Sequence, residues 1–393
     1  MKVLYVTDSC PWPPTSGGLL RHARLIEQLS RRHDVRVVVL DEPRPAGTSG
    51  VPAGTLFIDV GRSVESPVPP GGWALRKMVA RDLCDPRPEL VRLAERPAIR
   101  RAIDTLRPLA ADSDAAWVAG PFLADQALES WPGCRVLVDY IDISSLAQFR
   151  QVRQTRWSPH RVFSAVDAAK MALFERGVAR KAWRAVVCKP EDAAFFGAGR
   201  NVRVVGNGTD PRPHLPAAEA VPGRMLFVGL MTYQPNSDAA VWFARDILPR
   251  VKTPGVSFDL VGKGPPDSVR QLTEGRPNVH VHGFSPDLAA HYRRATAVVA
   301  PIRLGAGTRL KVLEALGFGK PLVATTEACR GLGLEHGVHY LAADTPAEFA
   351  AACDRVLADP GLAERLGRAG REFVHSRLTW DIIGHSAHRA LTT

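Results

Sequence analysis

The segment 301–316, PIRLGAGTRLKVLEAL, combines two glycines, two cations and a carboxylate within one predicted turn and helix. The apolar residues 297–301 predict a buried strand, after which Gly305 and Gly307 form a tight loop and Thr308 can cap a helix. Glycines let backbone N–H groups approach a ligand closely, and a helix start offers unpaired donors and the positive end of its dipole. These residue types in this order are suited to binding an anion.

Lys311 and Glu314 are three residues apart, so a helix places them on neighbouring parts of one face. Such a face can hold a diphosphate with its cation and a ribose diol with its carboxylate. An ordinary strand-to-helix turn, in which the glycines only permit the bend, explains the same Gly-x-Gly spacing. The neighbouring sequence decides between the two interpretations.

The stretch 309–326, RLKVLEALGFGKPLVATT, resembles the nucleotide-sugar site of family 4 glycosyltransferases, which have the GT-B fold. The resemblance extends along nearly the whole chain, through segments in the family's order: PPTSGG at 13–18 followed by Arg21, VDYIDISS at 138–145, NGTD at 207–210, FVG at 227–229 and VGKGP at 261–265. Each segment is a weak signal alone, whereas five in order form a strong joint signal.

The resemblance implies that a nucleotide-sugar donor is bound by Gly17, Gly18, Arg21, Gly229, Asn236, Gly262, Gly264, Phe284, Gly305, Ala306, Gly307, Thr308, Arg309, Leu310, Lys311 and Glu314. In the family, the second carboxylate of a Glu-x7-Glu pair binds the ribose, and Glu314 has that place. The first Glu is replaced by Ala306. The family's Arg and Lys after the first strand of this domain are replaced by Leu230 and by the segment around Asn236.

Two phosphates still need counter-charge in a partly dry site. We predict that Arg309 and Lys311, on the first turn of the helix, supply it in place of the missing family residues. The alternative interpretation makes Arg309 a surface cation.

The resemblance also implies transfer with retention of anomeric configuration, in which the leaving phosphate takes the acceptor proton. No dedicated base is then required, and the family's frequent His has no counterpart at Gly120. Asp139 and Asp142 follow a predicted strand and are expected to face the acceptor, with Arg309 and Lys311 as the other catalytic residues. Capping of the next helix is the alternative role for the two carboxylates.

No metal site is predicted, and the resemblance implies no cofactor beyond the nucleotide-sugar co-substrate. Asp112 and Asp114 form an Asp-x-Asp pair, but they precede a predicted strand instead of following one. The six cysteines are scattered without metal-ligand spacing, which favours a reducing compartment. Without an apolar leader or a long apolar run, we expect a cytoplasmic enzyme. The net charge of +11 favours anionic partners, and no nucleic-acid motif accompanies it.

Apolar, β-branched runs alternate with helical patterns in both halves of the chain, which predicts two doubly wound α/β domains. The predicted fold is GT-B, with two Rossmann-like domains that face each other across a cleft. The expected parts are an acceptor-side domain at 1–206, a nucleotide-sugar-binding domain at 207–378, and a helix at 379–393 that the resemblance places back on the first domain. The less regular regions are a loop-dominated excursion at 41–72 with a strand at 56–60, and a last strand at 338–341.

The sequence thus predicts a metal-independent glycosyltransferase that moves a hexose-type sugar from a nucleotide diphosphate to a sugar, lipid-linked or natural-product acceptor. Two alternatives stay open: a nucleotide-sugar epimerase with the same architecture, and a non-catalytic nucleotide-sugar binder. A basic stripe predicts either a peripheral contact with an anionic membrane or a solvated face, and comprises Phe149, Arg150, Arg153, Arg156 and Trp157. The pattern predicts no oligomeric state.

Overall fold

The computed structural model describes residues 1–40, 50–61, 85–94, 96–154, 157–197, 201–215, 219–304 and 309–393. The chain divides into two compact units, Met1–Gly206 with Gly384–Thr393 and Asn207–Ile383. Most of the predicted excursion at 41–72 and the loop from Gly305 to Thr308 lie outside the described residues.

The first unit is a parallel sheet of seven strands with helices between them. The strands are β1 (Lys2–Thr7), β2 (Asp34–Leu40), β3 (Leu56–Ile58), β4 (Ala115–Ala119), β5 (Val136–Tyr140), β6 (Arg184–Val187) and β7 (Val202–Val204), in the order β3-β2-β1-β4-β5-β6-β7. The helices are α1 (Gly17–Ser30), α2 (Glu89–Ala94), α3 (Pro97–Thr105), α4 (Arg107–Ala111), α5 (Gly120–Ser130), α6 (Ser144–Gln154), α7 (Pro159–Lys181) and α8 (Pro190–Phe195).

The second unit repeats this design with six parallel strands. They are β8 (Arg224–Val228), β9 (Ser257–Val261), β10 (Val279–Gly283), β11 (Ala297–Ala300), β12 (Leu322–Ala324) and β13 (Leu341–Ala342), in the order β10-β9-β8-β11-β12-β13. The helices are α9 (Gln234–Trp242), α10 (Asp267–Arg270), α11 (Leu288–Arg294), α12 (Leu310–Gly317), α13 (Thr326–Cys329), α14 (Pro346–Ala358), α15 (Pro360–Arg377) and α16 (Trp380–Thr392), the last of which begins in the second unit and ends in the first.

The central strands are buried on both faces, which explains why they read as continuous apolar runs in the sequence. Every residue of β4, β5 and β6 is buried, and so is every residue of β11 and β12. Helices that connect parallel strands cover both faces of such a sheet, and each unit therefore has its own apolar core.

Both sheets reverse their strand order once, between β1 and β4 in the first unit and between β8 and β11 in the second. At such a reversal the connections leave in opposite directions, and a crevice opens beyond the carboxyl ends of the two strands. The topology thus marks one crevice for each unit before any side chain is considered.

The prediction of a strand at 338–341 is wrong in its bounds. The strand begins only at Leu341, because the preceding residues form a tight turn in which the Gly337 N–H donates to the Tyr340 carbonyl at 2.8 Å. Gly337 has a φ of 79°, and Val338 is exposed. The strand predicted at 56–60 is shorter and ends at Ile58. In the described ranges, no helix has both the length and the apolar character needed to cross a membrane.

Candidate functional site

Beside the crevice of the second unit, the ends of β8 and its neighbour β9 bring backbone close to backbone. The Gly229 N–H donates to the Val261 carbonyl at 3.0 Å, and a Cβ on Gly262 would overlap the Gly229 carbonyl oxygen. Gly264 has a φ of 67°, and a Cβ there would lie 2.5 Å from the Thr232 methyl group. Glycine at these predicted positions is therefore a steric requirement of the strand ends.

The Lys311 ammonium lies beside these strand ends. It donates to the Asn236 Oδ1 and lies 4.6 Å from the centroid of the Phe227 ring. The Asn236 amide nitrogen donates to the Leu230 carbonyl at 2.8 Å, which orients the amide so that its oxygen faces the lysine. A Cβ on Gly229 would lie 2.8 Å from the lysine nitrogen. The predicted residues Gly229, Asn236 and Lys311 are thus in mutual contact.

Among the described residues, no negative charge compensates the Lys311 ammonium. Its partners in the described part of the chain are the Asn236 amide and the Phe227 ring, both of which are neutral. Burial and the neighbouring Arg309 cation lower the pKa of Lys311 to about 7. An anion placed here would offset the burial of the ammonium group and restore its charge.

Arg309 is buried, with 8% of its surface exposed, and its Nη2 donates to the Leu304 carbonyl at 2.9 Å. The alternative interpretation of Arg309 as a surface cation is therefore wrong. The Leu310 side chain packs against the core of the unit, so only its backbone is left for a ligand. The predicted residues Gly305, Ala306, Gly307 and Thr308 lie outside the described residues.

Glu314 lies one turn further along α12 and is held by two residues that the sequence reasoning missed. Arg212 donates to its Oε1 at 3.0 Å, and the Tyr292 hydroxyl donates to its Oε2 at 3.3 Å. Burial raises the pKa of Glu314, while Arg212 opposes that shift. An ionised carboxylate has about four acceptor positions, so the two described bonds leave capacity for a diol.

Phe284 directly follows β10, and its side chain is 71% exposed. Gly283, with a φ of 67°, ends the strand. An exposed ring at the carboxyl end of a strand offers a flat apolar surface to a planar ligand. The sequence predicted Phe284 as a donor-binding residue, but it did not predict the exposure of the ring.

In the first unit, the structure corrects the predicted roles of Arg21 and Asp139. Both side chains are fully buried, and the guanidinium donates to the two carboxylate oxygens at 3.2 and 2.9 Å. Arg21 also donates to the Gly206 carbonyl at 2.8 Å, and the Trp117 indole N–H donates to Asp139 at 3.1 Å. This network satisfies the hydrogen-bonding groups of both side chains inside the unit. We therefore no longer assign Arg21 to the nucleotide-sugar or Asp139 to the sugar acceptor.

The other predicted residues of the first unit are accessible. Gly17 and Gly18 form the first turn of α1, which Ser16 caps by accepting the Leu19 N–H at 3.4 Å. Asp142 is exposed, two residues beyond β5. These positions agree with a ligand at the strand reversal of this unit.

A carboxylate that the sequence reasoning missed caps α6, the helix that follows β5. Glu175 of α7 is fully buried and accepts the Ser144 N–H at 2.7 Å and the Ser145 hydroxyl at 2.5 Å. Burial raises its pKa to about 7, against these hydrogen bonds. Glu175 of α7 thus caps α6, which is the alternative role that the sequence analysis considered for Asp139 and Asp142.

Asp112 and Asp114 are bound within the first unit. Lys2 and Arg36 contact the Asp112 carboxylate at 2.9 and 3.0 Å, and Asp114 accepts the Lys2 backbone N–H at 2.8 Å. In the described parts of the chain, no group of three or more His, Cys, Asp or Glu residues is placed to hold a metal ion.

Comparisons with known sequences point to sugar transferases. Residues 222–359 match the family described as Glycosyl transferases group 1. The glycogen synthase of Mycobacterium tuberculosis is 31% identical over 210 residues, which cover 49% of this chain and 49% of that enzyme. The chain thus spans about half the length of the curated relative that it matches.

Solved structures resemble the chain over its whole length. The sucrose-phosphate synthase of Thermosynechococcus elongatus has a TM-score of 0.75 at 17% identity, with 99% of this chain and 98% of that one covered. Anabaena HepE, in complex with UDP-glucose, has a TM-score of 0.68 at 15% identity, with 100% and 99% covered. These likenesses confirm the predicted GT-B fold.

Proposed function

We propose that this protein is a glycosyltransferase that moves a sugar from a nucleotide diphosphate to an acceptor hydroxyl. The observation that carries the proposal is the partly buried Lys311 ammonium, whose described partners are neutral and which has a second cation, Arg309, beside it. Two cations at a helix start, one of which has only neutral hydrogen-bond and ring partners among the described residues, are suited to a diphosphate. The match of residues 222–359 to group 1 glycosyl transferases supports the same conclusion.

The donor is assigned along the crevice of the second unit. Lys311 and Arg309, with the first backbone amides of α12, bind the diphosphate and replace the basic residues that the family has after its first strand. Glu314 binds the ribose hydroxyls, oriented by Arg212 and Tyr292. The exposed Phe284 ring, at the carboxyl end of β10, is assigned to the base of the nucleotide. UDP-glucose is the first donor to test, because HepE binds it.

The reaction breaks the bond between the sugar and the diphosphate and forms a bond from the sugar to the acceptor oxygen. Negative charge grows on the departing diphosphate, and a fully protonated Lys311 stabilises that charge. In the retaining reaction that the resemblance implies, the departing phosphate oxygen takes the acceptor proton. Asp142, an exposed carboxylate just beyond β5, is assigned to the acceptor.

A ligand screen tests the donor assignment directly. The thermal unfolding of the full chain is followed with UDP-, GDP-, ADP- and TDP-sugars, each at a saturating concentration. One class is expected to stabilise the protein by about 2.7 kcal/mol at 100 times its Kd. If none of the four classes raises the melting temperature, the donor assignment is wrong.

Product analysis then separates the three functions that the sequence left open. A glycosyltransferase releases nucleotide diphosphate and glycosylates an acceptor, an epimerase converts one nucleotide-sugar into another, and a binder does neither. Sugar, lipid-linked and natural-product acceptors are supplied in turn with the stabilising donor. We expect transfer to persist in the presence of a chelator, because cations of this chain neutralise the diphosphate. Loss of transfer on chelation would refute metal independence.

A further inference from the structure

Helix α7 of the first unit presents a line of apolar side chains at its surface. Val162, Val166, Ala169 and Leu173 recur at spacings of four, three and four residues, so they share one face of the helix. Leu173 is 70% exposed and Val162 is 54% exposed. We call these four residues the α7 stripe. Apolar faces at this spacing normally pack against a partner.

An exposed tryptophan lies at the start of the same helix. Trp157 precedes α7 by two residues, and 78% of its side-chain surface is accessible. Tryptophan is highly buried on average in folded proteins. Tryptophan, with an apolar ring and one N–H donor, prefers the boundary between a lipid bilayer and water.

The accessible charges of α7 all have one sign. Arg176 and Arg180 continue the exposed face beyond the stripe. The two carboxylates of the helix are buried: Asp167 accepts a backbone N–H from the first turn of α2 at 2.8 Å, and Glu175 accepts one from the first turn of α6 at 2.7 Å. The surface is therefore apolar at one end and cationic at the other.

We propose that the α7 stripe, together with Trp157, Arg176 and Arg180, docks this protein on an anionic lipid bilayer. A second copy of the chain fits the face poorly, because a parallel pairing sets cations against cations and an antiparallel pairing sets the cations of each copy against the apolar end of the other. An acidic protein is a weaker match as well, since stable interfaces bury about 800 Å² on each partner and four side chains supply only part of that area. A bilayer needs a few inserted apolar groups and nearby cations.

This surface shares only Trp157 with the basic stripe that the sequence predicted, whose other members lie on α6 or just after it. Phe149 and Arg150 of that stripe are only partly exposed, while Arg153 is exposed at the end of α6. Arg156 lies outside the described residues. The proposal thus transfers the membrane contact to α7, and it does not depend on the proposed sugar transfer.

Vesicle sedimentation of the full chain tests the proposal. Vesicles of phosphatidylcholine with about 30% phosphatidylglycerol are expected to bind the protein at least about tenfold more tightly than pure phosphatidylcholine. The double variant Trp157→Ser, Leu173→Gln is expected to lose at least about tenfold of that partition. Val338→Gln, which changes an exposed apolar residue of the second unit, is the matched control and is expected to bind like the parent.

Equal binding to both vesicle types, or unchanged binding of the double variant, would overturn the proposal. Light scattering adds a separate outcome: a dimer of the parent that dissociates in the double variant would assign the face to a second copy instead. Binding of an acidic peptide at the same face, without vesicle binding, would assign it to a protein partner.

Thermal unfolding of the double variant, compared with the parent, confirms that the first unit is folded. If the double variant changes only the surface, UDP-sugar raises its melting temperature as much as that of the parent. A loss of vesicle binding is then distinct from a failure of the donor assignment.

Discussion

Each of the two units has a cation on a helix at its strand reversal, fully buried in the first unit and partly buried in the second, and the two cations have opposite surroundings. Arg21, on the helix after β1, is enclosed with Asp139 and a backbone carbonyl that accept its hydrogen bonds. Lys311, on the helix after β11, meets a neutral amide, a ring face and another cation. The same topology thus places one cation with its counter-charge and the other, among the residues that the structure describes, without one.

The difference indicates which cation is part of the architecture and which is available to a ligand. A buried charge whose partner belongs to the protein stabilises the fold only as long as that partner is present. A buried charge without one costs free energy in the unliganded protein, and that cost is recovered when an anion binds. Variants that remove one group at a time from either region test this distinction.

Loss of the counter-charge in the first unit should have the largest effect. Asp139→Asn leaves Arg21 buried without an anion, and we expect a loss of about 3–5 kcal/mol in the free energy of unfolding. Urea denaturation measures it. Asp142→Asn, which changes an exposed carboxylate near the same strand end, is the control and should shift stability by no more than about 0.5 kcal/mol. Equal losses in the free energy of unfolding for the two variants would show that the buried ion pair contributes no more to stability than an exposed carboxylate.

The two glycines at the strand ends of the second unit should respond differently to the same methyl group. In Gly262→Ala the new Cβ meets the backbone of Gly229, so we expect a destabilisation of about 1–3 kcal/mol. In Gly229→Ala it meets the ends of two side chains, the Lys311 ammonium and the Asn236 amide, which can shift more easily than backbone. That variant should stay stable and lose donor affinity. Thermal unfolding with and without UDP-sugar distinguishes the two, and a stable Gly262→Ala protein would contradict the described backbone contact.

Removal of the uncompensated cation should weaken donor binding without weakening the fold. Lys311→Met keeps much of the side-chain volume but removes the charge, and we expect a tenfold to hundredfold rise in the donor Kd, about 1.4–2.8 kcal/mol. Calorimetric titration with the donor measures it. Lys252→Met, at an exposed position of the same unit, is the control. Unchanged donor affinity in Lys311→Met would remove this residue from the site.

The stability of the unliganded protein should depend on pH through the same residue. The pKa of Lys311 is about 7 in the folded protein and near 10.4 in the unfolded chain, so between these values the unfolded chain binds more protons. The free energy of unfolding should therefore rise with pH across that window, by up to about 1.4 kcal/mol per pH unit. Lys311→Met should lack this contribution. Parallel pH profiles for the two proteins would contradict the lowered pKa.

The sequence predicted those parts of the fold that depend on local patterns. Strands such as β4 and β11 are buried on both faces, so their apolar runs were visible without any partner. The strand at 338–341 was misplaced because Val338 and Tyr340 alternate with polar residues like a strand, while Gly337 turns the chain.

The site was predictable only where its chemistry is contiguous in the chain. Lys311 and Glu314 share one helix, and their spacing was sufficient. The pair of Arg21 and Asp139 is separated by 118 positions, so the sequence showed two charges but not their mutual burial. Arg212 and Tyr292 reach Glu314 from other elements in the same way.

Proton uptake on donor binding tests the central claim most directly. Calorimetric titrations of UDP-glucose, or of the donor found by the screen, are run at about pH 8 in two buffers of different ionisation enthalpy. If the diphosphate supplies the missing counter-charge of Lys311, binding takes up close to one proton in the parent and none in Lys311→Met. Binding that takes up no proton in the parent, or the same number in both proteins, would contradict the account.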